Sequence, residues 1–135
     1  GNAALMHEMS SEKWHAFFVT CAELLGPGDQ HGSWCAFTTF QRLVDDAGYW
    51  TNGLPLKADI SPTHIGDCSV WGQPFAYADL AHIVIPKTFV WERYENGEWT
   101  EYVTQTQDIA LLSKDLDAKS INHRLTNLVL EIKLY

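Results

Sequence analysis

Positive charge is scarce in this chain. Nine Lys and Arg stand against 17 Asp and Glu in 135 residues, a formal net charge of −8, with an isoelectric point near 5.0. Such a surface repels phosphate backbones, which argues against a general nucleic-acid binder. It also repels anionic headgroups, which argues against docking on a membrane. Cysteine is scarce too: there are three, an odd number, with no two at zinc-knuckle spacing. Reduced thiols in a cytoplasmic protein are the expectation. No apolar run approaches the roughly 18 residues that a membrane-spanning helix needs. The opening GNAALMHEMS has neither the basic start nor the apolar stretch of a secretory signal. Residues 1–9 read as a tail, and 10–135 as one domain. A phosphate-cradling Gly loop, a serine-hydrolase elbow and a dinucleotide fingerprint are all missing, so no cofactor is expected.

Apolar side chains, by contrast, are plentiful. They make up 46% of the chain, and six are Trp. A chain of this length can bury about two-thirds of its unfolded surface, so it needs no disulfide staples. Ser10 or Ser11 caps a first helix, in which Trp14, Phe17, Phe18, Cys21, Leu24 and Leu25 recur at helical spacing before Gly26-Pro27-Gly28. Ser33 is placed to cap a second, carrying Phe37, Phe40, Leu43, Val44 and Ala47 up to Gly48. Residues 49–79 hold Gly53, Pro55, Pro62, Gly66, Gly72 and Pro74 and no sustained period, so they hide short strands or fold over the core as a lid.

The signals sharpen from residue 80. LAHIVI reads as a strand ending at Pro86. Two further strands, TFVWERY and EWTEYVT, flank Asn96-Gly97, the pair favoured in two-residue hairpin turns. A helix starts at Thr106 or Asp108 and runs through DIALLSKDLDAK. In the closing LVLEIKLY, Leu128, Leu130, Ile132 and Leu134 share one face, while Val129, Glu131, Lys133 and Tyr135 share the other. The strand–helix–strand step predicts a parallel crossover. The expected fold is α+β: a mixed four-stranded sheet, made of the hairpin plus one crossover strand, with about three helices mainly on one face.

Four groups of residues could carry chemistry. His31 with Cys35, and His64 with Cys68, are two His-x-x-x-Cys pairs that together supply the four ligands of a tetrahedral zinc site, although neither pair reads as helical and free loop residues are the ordinary alternative. Counting outward from Asn96-Gly97 sets Glu92 opposite Glu101. If that face is buried, the repulsion would raise one carboxyl's pKa and suit it to acid–base work; if solvated, water screens both. Trp34, Trp50 and Trp71, with His82, are candidates to line an apolar pocket, the alternative being plain core filling. Lastly, Glu131-Ile132-Lys133 resembles the E-x-K of metal-dependent nucleases of the PD-(D/E)xK type. It departs from that family in lying on the fourth strand rather than the third, on a chain of the wrong charge for gripping DNA.

The tail LLSKDLDAKSINHRLTNLVLEIKLY, Leu111 to Tyr135, resembles the end of short bacterial proteins of unknown function of the mobile gene cassette type. The resemblance implies a small bacterial cytoplasmic α+β domain and suggests a dimer; it supplies no catalytic residue. Together these readings favour a non-catalytic binding module for a small apolar ligand or a basic protein partner, in the manner of an immunity or antitoxin protein. A small enzyme built on Glu92 and Glu101, or a divergent nuclease-like fold, is the alternative. A homodimer through aromatic-rich edge strands is a further expectation.

Overall fold

A computed structural model of the chain describes residues 9–26, 33–66 and 74–135; of residues 91–95 and 99–103 it describes the backbone alone. The fold is α+β. Among the described residues there are three α-helices: α1 (Ser11–Leu25), α2 (Phe40–Val44) and α3 (Ile109–Ala118). Nine strands accompany them: β1 (Cys35–Thr39), β2 (Trp50–Asn52), β3 (His64–Ile65), β4 (Phe75–Ala76), β5 (Leu80–Pro86), β6 (Thr88–Glu95), β7 (Glu98–Thr106), β8 (Arg124–Leu125) and β9 (Val129–Lys133).

Helix α1 starts as its sequence predicts. The Ser10 hydroxyl accepts from the Lys13 N–H at 3.1 Å, and Glu12 lies in the positive first turn. Gly26, at φ +79, stops it. Trp14, Phe17, Phe18 and Cys21 are fully buried along one stripe. Helix α3 begins at Asp108, whose carboxylate accepts from the Leu111 N–H at 3.0 Å, and buries Ile109, Leu112 and Leu116.

Both helices cover one face of the main sheet. That sheet has five strands in the order β2-β1-β5-β9-β8, every neighbouring pair antiparallel. This corrects the expected mixed four-stranded sheet. The hairpin β6–β7 does not join it but forms a sheet of its own, so the helix that follows does not complete a crossover between paired strands. The chain leaves the main sheet at Pro86-Lys87, and β9 returns against β5 instead.

The second predicted helix is also corrected. Its first half, Cys35–Thr39, is the strand β1, and only Phe40–Val44 is helical. Phe37 faces the core between Trp50 and Ile83, as alternation on a strand requires. Ser33 caps no helix; its buried hydroxyl accepts from the Leu54 N–H at 3.1 Å. Thr39 takes the capping role, accepting from the Arg42 N–H.

Segment 49–79 does hold short strands, β2, β3 and β4, with two 3-10 turns. In the last strand Leu130 and Ile132 are buried and Leu134 packs on the core, while Leu128 lies beyond the strand and is exposed. Each large apolar side chain buried here contributes about 1.5–3 kcal/mol.

Candidate functional site

Residues directly opposite on antiparallel strands share a face. Phe37, Trp50 and Ile83 therefore line the helix-covered face, whereas Thr38, His82 and Lys133 form a row across the other. On that second face stands a chain of hydrogen bonds. Tyr135 Oη lies 2.7 Å from Tyr49 Oη, and Tyr49 Oη lies 2.6 Å from His82 Nδ1. His82 Nε2 lies 2.8 Å from Glu131 Oε1. The rings of Tyr49 and Tyr135 both meet the imidazole edge-on. Arg124 approaches the second Glu131 oxygen at 3.8 Å, and the Lys133 ammonium lies 4.7 Å from the Tyr135 ring centroid.

The array is graded in exposure. The His82 and Glu131 side chains are 12% and 14% exposed, while Tyr49 and Tyr135 are 39% and 50% exposed. Burial pulls the His82 pKa below the usual imidazole range. The hydrogen bond and charge of Glu131 oppose that pull, and Lys133 reinforces it. The ring is thus neutral at neutral pH and carries one proton. Bonded to a carboxylate, Nε2 donates. Nδ1 then accepts from the Tyr49 hydroxyl, whose oxygen accepts in turn from Tyr135. The Tyr49 phenol is pushed above its ordinary range by burial, then by its bond to Tyr135, then by the negative charge of Glu131.

A second feature is the base of the hairpin. Gln107 is 4% exposed. Its amide oxygen accepts from the Trp34 N–H at 3.1 Å, and its amide nitrogen donates to the carbonyls of Trp34 at 3.1 Å and Pro86 at 2.8 Å. Trp34 stacks on Phe89 at 6.4 Å between ring centroids. Beside this joint opens a cleft of about 500 Å³ whose lining includes Lys87, Thr106, Asp108, Leu125 and Asn127. Beyond it the hairpin runs out to an exposed tip at Asn96–Glu98.

The hairpin's turn is as predicted, with φ +55 at Asn96 and +82 at Gly97. The Glu92–Glu101 opposition is not. A bulge at Thr100 shifts the ladder between Arg93 and Tyr94, so Glu92 stands opposite Tyr102 and Glu101 opposite Arg93. The like-charge pair is therefore replaced by an opposite-charge register.

The other predicted residues are dispersed. Trp50 lies against Phe37 and Phe75 on the helix side, with the Arg42 guanidinium 3.7 Å over its ring. His82 is on the opposite face, and Trp34 is at the hairpin base. Trp71, His31 and Cys68 lie outside the described residues. Cys35 is fully buried on β1, and burial raises its thiol well above the ordinary range. Cys21 is raised by burial and by Cys35, against a lowering by Lys119. His64 is on β3 with Nδ1 3.2 Å from the Thr63 hydroxyl. Among the described residues no three His, Cys, Asp or Glu side chains gather where they could hold a metal ion.

The sequence singles out His82 for a Trp-lined pocket and Glu131-Ile132-Lys133 as an E-x-K, and gives no sign of Tyr49 beside them. Alternation on β9 puts Glu131, Lys133 and Tyr135 together, yet nothing in residues 49–79 marks Tyr49 as their neighbour. No protein-family model, curated protein or solved structure matches this chain. Among the described residues, no helix is long and apolar enough to cross a membrane.

Proposed function

We propose that this chain is a binding module that captures a basic protein partner through the hairpin β6–β7. The observation that carries the reading is the hairpin's separation from the main sheet: among the described residues its ladder is internal, and Gln107 and Trp34 pin its base. Two strands by themselves are marginally stable, and open strand edges seek pairing. Between Thr88 and Thr106 the sequence carries Glu92, Glu95, Glu98 and Glu101 against Arg93, along with Trp91, Tyr94, Trp99 and Tyr102. Acidic residues interleaved with aromatics suit a basic surface with apolar anchors. The net charge of −8 would steer such a partner at long range.

An immunity- or antitoxin-like role, covering a basic toxin in a bacterial cytoplasm, is the specific form of this reading. A second copy of the chain is the less suited occupant, since pairing two such arms brings like charges together. The cleft at the arm's base is where the small-ligand form of the reading would place its ligand.

The test shortens the arm. Val90 is opposite Thr104, so joining these two through Asn-Gly keeps the ladder and removes the rest. Full and shortened chains are immobilised and offered the same cell extract at low and high salt. Support is retention of basic proteins by the full chain only, with an on-rate that falls steeply as salt rises. Identical retention by both chains would refute the reading, as would a salt-independent on-rate.

A further inference from the structure

A side-chain hydroxyl is a weak nucleophile until its neighbours activate it. It needs a base within hydrogen-bond reach and a third group to orient that base. Tyr49, His82 and Glu131 meet this geometry. The hydroxyl lies 2.6 Å from one imidazole nitrogen, and the carboxylate lies 2.8 Å from the other. The base and its orienting carboxylate are shielded, while the hydroxyl-bearing side chain is open to solvent.

A separate observation comes from the same row of the sheet. Thr38, directly opposite His82, is fully buried, and its hydroxyl has no hydrogen-bond partner among the described residues. An unpaired buried hydroxyl costs about 1–3 kcal/mol. The strand position paired with His82 thus carries a covered polar group whose hydrogen-bonding capacity is unused. The Lys133 ammonium adds positive charge on the neighbouring strand, over the Tyr135 ring.

We infer that Tyr49 is the nucleophile of a Tyr–His–Glu triad on the face of the sheet away from the helices, and that its substrate class is an acyl donor such as an activated ester. Tyr49 Oη forms a bond to the carbonyl carbon as its proton passes to His82 Nδ1. The imidazolium so formed stays paired with the Glu131 carboxylate. The carbonyl carbon then releases the ester's leaving oxygen, which takes the proton from His82. The products are an O-acyl Tyr49 and a free alcohol or phenol. Tyr49 and His82 make and break the bonds; Glu131 positions the imidazole.

This assignment is independent of the hairpin's role. It also makes a particular demand on pH. A tyrosine acting alone reacts as phenolate, and its rate climbs through its own pKa at about 10 or above. A tyrosine served by a neutral imidazole reacts in proportion to unprotonated His82. Its rate therefore rises below the usual imidazole range and levels off near neutrality.

The experiment treats the intact chain with p-nitrophenyl acetate from pH 4.5 to 10, and locates the acetyl group by peptide mass spectrometry. The expected result is acetylation of Tyr49 about a hundredfold faster than of Tyr135, consistent with the lower range of general-base catalysis, with a plateau above pH 7. His82→Gln should abolish the preference, and Tyr49→Phe should remove the adduct. Equal labelling of the two tyrosines would overturn the assignment. So would a Tyr49 rate that keeps climbing through the tyrosine range in the unaltered protein, a readout that needs no variant to fold.

Discussion

His82 Nε2 meets Glu131 Oε1 at 2.8 Å across the β5–β9 seam, although the register sets Lys133, not Glu131, directly opposite His82. The contact is diagonal, and it ties a nearly covered imidazole to a nearly covered carboxylate on the face away from the helices. Glu131→Gln keeps the shape and removes the charge. The His82 pKa, already below the usual range, should then fall further, because the main opposing pull is lost. Proton NMR titration of the His82 ring measures this directly; an unmoved titration midpoint means the pair does not form in solution.

Stability should carry the same signature. A histidine whose pKa is lowered on folding binds its proton more tightly in the unfolded chain. Its protonation therefore favours unfolding as pH falls from about 6.5 toward the folded-state value, and adds no further change below that. The melting temperature should drop over this window, and the drop should shrink in His82→Gln. Parallel melting curves for the two proteins between pH 7.5 and 5 would contradict the burial of this ring.

Gln107 makes a sharper structural test. Gln107→Leu keeps the volume while removing three hydrogen bonds at the hairpin base, two to Trp34 and one to Pro86. Each bond contributes about 0.5–1.5 kcal/mol net, so a total loss of about 1.5–4.5 kcal/mol is expected. Urea denaturation gives the number. Amide exchange in β6 and β7 should quicken more than in β5, because the arm loses its joint first.

Gly97 adopts φ +82 at the second position of the turn. Gly97→Ala forces a Cβ into that conformation and should cost about 1–2 kcal/mol. Asn96→Gly, also at positive φ, should change stability by a few tenths of a kcal/mol. Reversal of that order in thermal melts would mean that the turn is not of this type.

Much of the fold was readable because local signals there agree with one another. Ser10 precedes a full apolar stripe, Asp108 precedes another, and Asn96-Gly97 separates two runs of β-formers. Where the reading failed, competing periods overlapped. Phe37, Phe40 and Val44 fit a helix, yet Cys35 and Phe37 also alternate as a strand does, and burial against Trp50 and Ile83 decided for the strand. The Thr100 bulge left no residue-level mark, so counting from the turn gave the wrong partner for Glu92. The site was least visible because it is assembled by tertiary pairing. Tyr49, His82 and Glu131 are 33 and 49 residues apart along the chain, and only the β2-β1-β5-β9 order brings them together.

Cys21 and Cys35 sit in the core as free, fully covered thiols. Since the thiolate is the reactive form, both should ignore an alkylating reagent for as long as the chain stays closed. With Cys68 changed to Ser, the uptake of iodoacetamide would become a stopwatch for global opening, built into the protein and readable without any added dye.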